Sequence, residues 1–319
     1  MNVYCSIRFT IVGMVLFLCL IYPSFASAEK SYKIAMITWR GETQAELGFI
    51  DELERSNCRI TFKKYHANQN RRKLQKIIDS IQCTYVDLIY VFGTTATKIV
   101  LSRVKEKPVV FNIVSRPVKS GIIAGWETSK NNAVGASNQV PVLHQLKALK
   151  KVINYARLGI IYNPKEQNSV IQKDIANELQ SFLEFELKEY KISQKSDVLK
   201  VLPLMKGEVD AVYFPADSMT KSLGKEIMAL VNEFKIPSLS AVESMVPQDG
   251  ALLGLVPNYY ELGRLAAAKA LKIFQGKKPS DIPSSALDHF QMSVNLKTAQ
   301  KINVQIPMSI LVMANKIVR

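Results

Sequence analysis

The sequence predicts an α/β protein made of two parallel-sheet units. Three observations carry that prediction. Short β-branched runs alternate with amphipathic helical segments along the chain, which is the signature of parallel strands joined by crossover helices. The alternation restarts after about residue 138 and yields a second unit of similar size. The 319 residues also suit two domains of about 150 residues each.

Taken in order, SYKIAMIT (31–38) is a buried strand that ends in the turn Trp39, Arg40, Gly41, Glu42. A helix follows with Ala45, Phe49, Ile50 and Leu53 on one side. Residues 59–65 form a second strand. The helix 71–82 carries Leu74, Ile77, Ile78 and Ile81 at i, i+3, i+4 and i+7. A strand opening at Val86 turns at Gly93 into a helix reaching Val104, PVVFNIV (108–114) is a fourth strand, and 132–137 a short fifth that ends near Asn138.

The second unit opens with a helix burying Val142, Leu146, Leu149 and Ile153, then the strand 157–162. A helix over 169–185, a strand near 186–190, a short helix near 197–205 and a strand over 210–214 come next. After Ser218 one helical stripe joins Met219, Leu223, Ile227, Leu230, Val231 and Phe234, and strands at 237–240 and 251–256 complete the sheet. Beyond Pro257, Tyr259, Leu262, Gly263, Ala266, Ala267, Ala270, Ile273 and Phe274 share one helical face that stops at Gly276. The tail reads as an alternating strand over 287–296 and an apolar strand or helix around 310–313.

Three strands end in polar turns that open helices: Gly93-Thr94-Thr95, Tyr162-Asn163-Pro164 and Ala216-Asp217-Ser218. Gly93 permits backbone angles that a Cβ resists, and the first turn of the helix offers free N–H groups suited to an anion. Ligands of open α/β sheets sit beyond the carboxyl ends of the strands, so the three turns point to one cleft between the units.

Residues 1–28 carry a single charge, Arg8. The apolar run 11–22 is shorter than a membrane span requires, and Ala26-Ser27-Ala28 is a small-residue cleavage site. The expectation is a cleaved secretory signal peptide and a periplasmic protein. Its removal takes one positive charge from the formal +15. That balance fits solvated lysines, an anionic ligand, an acidic partner or a membrane surface. Cys58 and Cys83 remain after cleavage, and an oxidising compartment leaves a disulfide between them open. Three scattered histidines, His66, His144 and His289, with no paired cysteines support no metal site. The chain has no GxGxxG, GxxxxGK or GxSxG pattern and no cysteine or histidine beside a plausible partner, so no catalytic residue, enzyme activity or cofactor is assigned.

VFGTTAT (91–97), PVVFNIVSRPV (108–118), VGASNQVPVLHQL (134–146), RLGIIYNP (157–164), VDAVYFPADS (209–218) and DGALLGLVPNYYELGRLAAAKALKIFQGKKPSDIP (249–283) resemble, in order, the tryptophan/tyrosine-type substrate-binding proteins of ABC transporters. The resemblance implies a type I periplasmic-binding-protein fold: two Rossmann-like parallel-sheet lobes joined by a three-strand hinge. The lobes would be 29–138 with 257–288 and 139–256 with 289–319, after the signal peptide 1–28. It further implies ligand-facing positions at Trp39, Arg40, Glu42, Gly93, Thr94, Thr95, Ser115, Asn163, Asp217, Ser218 and Glu243. Two departures from the family pattern stand out: the compact first turn, Trp39 to Glu42, and Ser218 where many relatives carry an amide.

Individual side chains keep two readings. Asp217 is a helix N-cap or the counter-charge for a ligand ammonium. Arg40 is a fork for a carboxylate or a solvated cation, and Trp39 stacks on the ligand or fills the core. With Gly93–Thr95 holding a carboxylate and Asp217 an ammonium, the ligand would be an amino-acid-like zwitterion. The function expected is the extracytoplasmic solute-binding component of an importer. It would be a monomer that captures a small molecule for an ABC permease in the inner membrane and has no nucleic-acid partner. The alternative is a periplasmic ligand sensor that signals to a membrane receptor. A repressor's effector domain is disfavoured by the export signal and by the lack of a helix-turn-helix before the first strand.

Overall fold

Ser31–Thr38 pairs on both sides in parallel, with Ile34 facing Phe62 of one neighbour and Leu88 of the other, and its last five residues are buried. The continuous apolar run is what a strand covered on both faces requires. The computed structural model describes residues 30–319; the signal-peptide expectation falls outside the described residues.

In chain order the first sheet uses β1 (Ser31–Thr38), α1 (Gln44–Glu54), β2 (Arg59–His66), α2 (Arg71–Gln82), β3 (Leu88–Phe92), α3 (Thr94–Arg103), β4 (Val109–Asn112) and β5 (Ala133–Ser137). The second sheet begins after α4 (Val142–Lys150) with β6 (Arg157–Tyr162), α5 (Gln167–Glu178), α6 (Gln180–Leu183), β7 (Glu186–Lys191), α7 (Ser196–Val201), β8 (Ala211–Phe214), α8 (Ser218–Ser222), α9 (Gly224–Glu233), β9 (Ser238–Ser240) and β10 (Leu253–Val256). Then follow α10 (Tyr259–Phe274), β11 (Ser285–Ala286), β12 (Gln291–Asn295), α11 (Leu296–Ile302), α12 (Met308–Met313) and β13 (Lys316–Val318).

The sheets are ordered β11-β5-β4-β3-β1-β2 and β13-β12-β10-β9-β8-β6-β7. Among the described residues β10 with β12 is the one antiparallel pair, and the other neighbours are parallel. Each sheet has a point where successive connections leave in opposite directions, between β1 and β3 in the first and between β6 and β8 in the second. Such switch points open a crevice at the carboxyl ends of the strands.

After β10 the chain returns to the first lobe, where Tyr259, Leu262, Ala266, Ala267 and Ala270 of α10 join the core of β1, β3 and β4. The contact with α1 is at backbone distance: a Cβ on Gly48 would lie 2.1 Å from the Tyr260 carbonyl oxygen, and one on Gly263 2.1 Å from that of Ala45. The small residues of the α10 stripe therefore set the spacing of this helix pair. The second lobe has two cores, one on each face of its sheet, around Leu158, Ile160 and Tyr213 and around Ile161, Val212 and Phe214.

Several boundaries differ from expectation. The helix expected over 169–185 starts at Gln167 and is interrupted at Leu179; the chain leaves α6 through a left-handed Glu184 (φ 52°), and the Gln180 side chain accepts a hydrogen bond from Leu187 N–H at 2.6 Å. The stripe after Ser218 is two helices, α8 and α9, separated at Leu223. The tail strand is shorter than 287–296, because Asn295 caps α11 by accepting from Thr298 N–H at 3.0 Å. Residues 308–313 are helical. Cys58, half-buried, and Cys83, exposed, are both free thiols. Among the described residues no helix is long and apolar enough to cross a membrane.

Candidate functional site

The two switch points face one another. Residues from five strand ends line a cavity of about 20 Å³: Trp39 and Arg40 after β1, Phe92 to Thr95 at the end of β3, Ile113 and Ser115 after β4, and, from the second lobe, Glu166 and Asn168 after β6 and Ala216 to Ser218 after β8, with Asn138 and Tyr259 where the chain changes lobes. That volume holds roughly one water. A wide groove of about 850 Å³ opens beside it, with Arg40, Ser218 and Tyr259 common to both and Glu42, Glu243, Lys221 and Lys316 among its walls.

The structure thus brings Trp39, Arg40, Gly93, Thr94, Thr95, Ser115, Asp217 and Ser218 to the small cavity, and Glu42 and Glu243 to the groove. Asn163 is not among the walls of either. Its side-chain oxygen accepts from Lys165 N–H at 3.0 Å within its own turn. Glu42 lies at the rim, 3.0 Å from Lys64 Nζ and 3.8 Å from His66 Nε2.

On the first lobe, Gly93 precedes α3 with φ 93° and ψ 148°, a conformation open to glycine almost alone. No side chain caps α3. Thr94 Oγ1 instead accepts from Ser115 N–H at 3.2 Å, which links two cavity turns, and Thr97 Oγ1 donates to Gly93 O at 2.8 Å. The N–H groups of the first turn of α3 are therefore not taken up by a cap. Trp39 is 5% exposed, with its indole Nε1 unpartnered, and the Asn138 side-chain oxygen, also on a residue 5% exposed, is unpartnered too. The Arg40 guanidinium lies 5.3 Å from the Phe92 ring centroid.

Behind these turns runs a buried polar chain. The Glu46 carboxylate accepts from Thr43 N–H at 2.7 Å, Thr43 Oγ–H at 2.8 Å and Tyr90 O–H at 2.6 Å; Asn112 Nδ2 donates to Tyr90 at 3.2 Å, and Asn112 Oδ1 accepts from Ile113 N–H at 2.9 Å. The capping box of α1 thereby fixes the first turn relative to the turn after β4. Burial raises the Glu46 carboxyl, against the lowering effect of the Tyr90 and Thr43 hydrogen bonds.

On the second lobe the site is acidic. Asp217 accepts from Thr220 N–H at 2.7 Å through Oδ1, which caps α8, and from Asn163 N–H at 2.8 Å through Oδ2. Glu166 accepts from Ser218 N–H at 3.1 Å and Met219 N–H at 3.2 Å. Burial, then the neighbouring Asp217 charge, pushes Glu166 up to about 7, and burial raises Asp217. Burial also raises Glu243, against the lowering charges of Lys316 and Arg40. The lobes touch across the cleft where Lys98 Nζ donates to Gln167 Oε1 at 2.6 Å and Gln172 Nε2 to Ser115 Oγ at 3.4 Å.

Glu166, Asn138, Phe92 and Tyr259 are cavity residues that the sequence reading did not place there. For Tyr259 and Asn138 a signal existed, since both stand where the chain changes lobes. For Glu166 the available signal was a carboxylate in the loop between a strand end and a helix start.

Two α/β lobes that clasp a polar cleft between their switch points define a type I periplasmic binding protein fold. The family model for "ABC transporter substrate binding protein" matches residues 34–318, and the chain belongs to that family. It is 29% identical over 269 residues to the tyrosine-binding protein of Clostridioides difficile (strain R20291), covering 82% of this chain and 77% of that one. Its fold is similar to that of the ABC domain from Streptococcus pneumonia solved in complex with L-Trp, with TM-score 0.85, 20% identity and coverage of 91% of this chain and 100% of that one. It is also similar to the ligand-free, open structure of a substrate binding protein with adhesive properties from Clostridium difficile, with TM-score 0.69, 25% identity and coverage of 90% and 99%.

Proposed function

We propose that this protein captures an amino acid with an aromatic side chain and delivers it to an ABC permease in the inner membrane. The observation that carries the reading is the opposed polarity of the cavity. Uncapped N–H groups of α3 and the Arg40 cation stand on one lobe, together with the aromatic residues Trp39, Phe92 and Tyr259 of its core, and the carboxylates Glu166 and Asp217 stand on the other. A zwitterion satisfies both faces at once, and rings suit an aromatic side chain. The names of the tyrosine-binding relative and the L-Trp complex support the same class.

The lobes act as jaws, 29–138 with 257–288 against 139–256 with 289–319. A cavity of about 20 Å³ is a closed state that opens to admit the ligand. The protein is a monomer exported through cleavage after Ala28, and it acts by binding alone.

Thermal unfolding in the presence of L-tyrosine, L-tryptophan, branched-chain amino acids and sugars tests the reading. Ligand at a hundredfold its Kd stabilises by about 2.7 kcal/mol. Stabilisation by the aromatic amino acids is expected. Stabilisation by a sugar, with none by an amino acid, would overturn it.

A further inference from the structure

Glu166 and Asp217 lie on adjacent turns of the second lobe, after β6 and β8, and are 6% and 1% exposed. Each carboxylate accepts two backbone N–H groups. Among the described residues, neither has a basic nitrogen within 4.0 Å.

The surrounding charges do not neutralise the pair. Arg40, from the turn after β1, is the cation across the cleft, but it is shared with Glu243, which follows β9, and rests against Phe92. Tyr259, at the start of α10, presents a buried phenol whose titration burial pushes up. Lys221 on α8 is paired with Asp249 at 2.6 Å, and Lys98 on α3 is bound to Gln167. Two desolvated carboxylates side by side with no contacting cation do not both stay ionised; the pair titrates as a unit and retains a proton. A second, independent feature marks the same cavity as built for a polar guest: the Trp39 indole N–H and the Asn138 side-chain oxygen in its wall have no partner.

We infer that the ammonium group of the ligand replaces a proton held by the Glu166–Asp217 pair, so that capture releases one proton to solvent and selects for a cationic amine. The inference rests on the amino-acid reading above. In the exchange an O–H bond of the carboxyl breaks, the proton leaves to buffer, and the carboxylate accepts hydrogen bonds from the intact ammonium. The rise of Glu166 to about 7 places the exchange within the pH range of an envelope compartment. Both oxygens of each carboxylate serve a backbone N–H group; Glu166, at 6% the more exposed of the two, is the specificity-determining carboxylate.

Isothermal titration of the mature protein with L-tyrosine or L-tryptophan at pH 6, in two buffers of different ionisation enthalpy, measures the proton. Release approaching one proton per ligand is expected. Affinity is expected to fall about 25-fold from pH 7.5 to pH 5.5, by the linkage of binding to a single site titrating at about 7. The deaminated analogue 3-(4-hydroxyphenyl)propionate should bind with no proton release and no loss of affinity at acid pH. Glu166→Gln should abolish the release and flatten the pH profile; if that variant does not fold, the wild-type buffer comparison and the analogue decide. Equal heats in both buffers with unchanged affinity between pH 5.5 and 7.5 would overturn the exchange while leaving the amino-acid reading intact. Failure of both amino acids to bind at any pH would overturn both.

Discussion

The backbone N–H of Asn163 donates to Asp217 Oδ2 at 2.8 Å and so ties the turn after β6 to the turn after β8, while Oδ1 of the same carboxylate caps α8. Asp217 is therefore first a structural cross-link between the two second-lobe turns that face the cleft. Truncation to Ala removes the cap and strands a buried N–H. Together these cost about 2 kcal/mol, drawn from roughly 1 kcal/mol for a cap and a similar amount for the lost hydrogen bond. Urea unfolding of Asp217→Ala at pH 7 should show that loss with an unchanged m-value. Wild-type stability in the variant would refute the cross-link.

Asp217 also shows how far the sequence was readable. A carboxylate between a buried strand and a helical stripe is legible as an N-cap, and its oxygens take that role. Glu166 was not legible, because its burial depends on Ser218 N–H, which lies 52 residues away and reaches it only when β6 and β8 pair. The switch points likewise follow from strand order, which one sequence does not display, although the strands themselves follow from hydrophobic runs such as Leu88–Phe92. The break at Leu179 escaped detection for a different reason. Phe182 is an apolar residue inside the span expected as one helix but is 64% exposed, so its hydrophobicity reports no burial there.

Gly93 is expected to be intolerant of a side chain through its backbone and not through crowding. A Cβ there would meet only Trp39 Cβ at 3.5 Å, an ordinary contact, whereas φ 93° with ψ 148° is strained for any other residue. Gly93→Ala should cost about 1 to 3 kcal/mol of stability. It should also weaken ligand binding by displacing the start of α3. Thermal unfolding and calorimetric titration check the two effects separately, and a variant with native melting temperature and affinity would contradict the strain argument.

Tyr90→Phe tests the buried chain that runs from Thr43 to Ile113. Loss of the phenol leaves a Glu46 oxygen and the Asn112 amide without a partner, at about 1 to 3 kcal/mol. The pH dependence has a definite sign. Glu46 is raised in the folded state, so folding favours its protonated form, and that contribution is complete below the unfolded value of 4.5 and is lost as pH rises through the folded one. The Tyr90 hydrogen bond lowers the folded value, so removing it makes the ionised form still less favourable. The deficit of Tyr90→Phe should therefore be larger at pH 7.5 than at pH 4.5 in paired urea titrations. An equal or smaller deficit at pH 7.5 would argue that Glu46 is not the group coupled to Tyr90.

Closure of the lobes is the remaining prediction. The small cavity holds about one water and adjoins the wide groove, so the lobes are expected to part to admit an amino acid and to close around it. Among the described residues, the hydrogen bonds that join the lobes, Lys98 to Gln167, Gln172 to Ser115 and, beside the hinge, Arg116 to Val140, are each worth about 1 kcal/mol net. They are too few to hold the empty protein shut against the entropy of an open ensemble, whereas a ligand bridging both lobes adds its differential affinity for the closed state. Small-angle scattering should give the unliganded protein a radius of gyration above that calculated for this closed form, falling toward it on saturation with L-tyrosine or L-tryptophan. Ser115→Ala, which removes one of these links, should weaken binding by about fivefold, the equivalent of about 1 kcal/mol. The same radius with and without saturating ligand would reject the hinge.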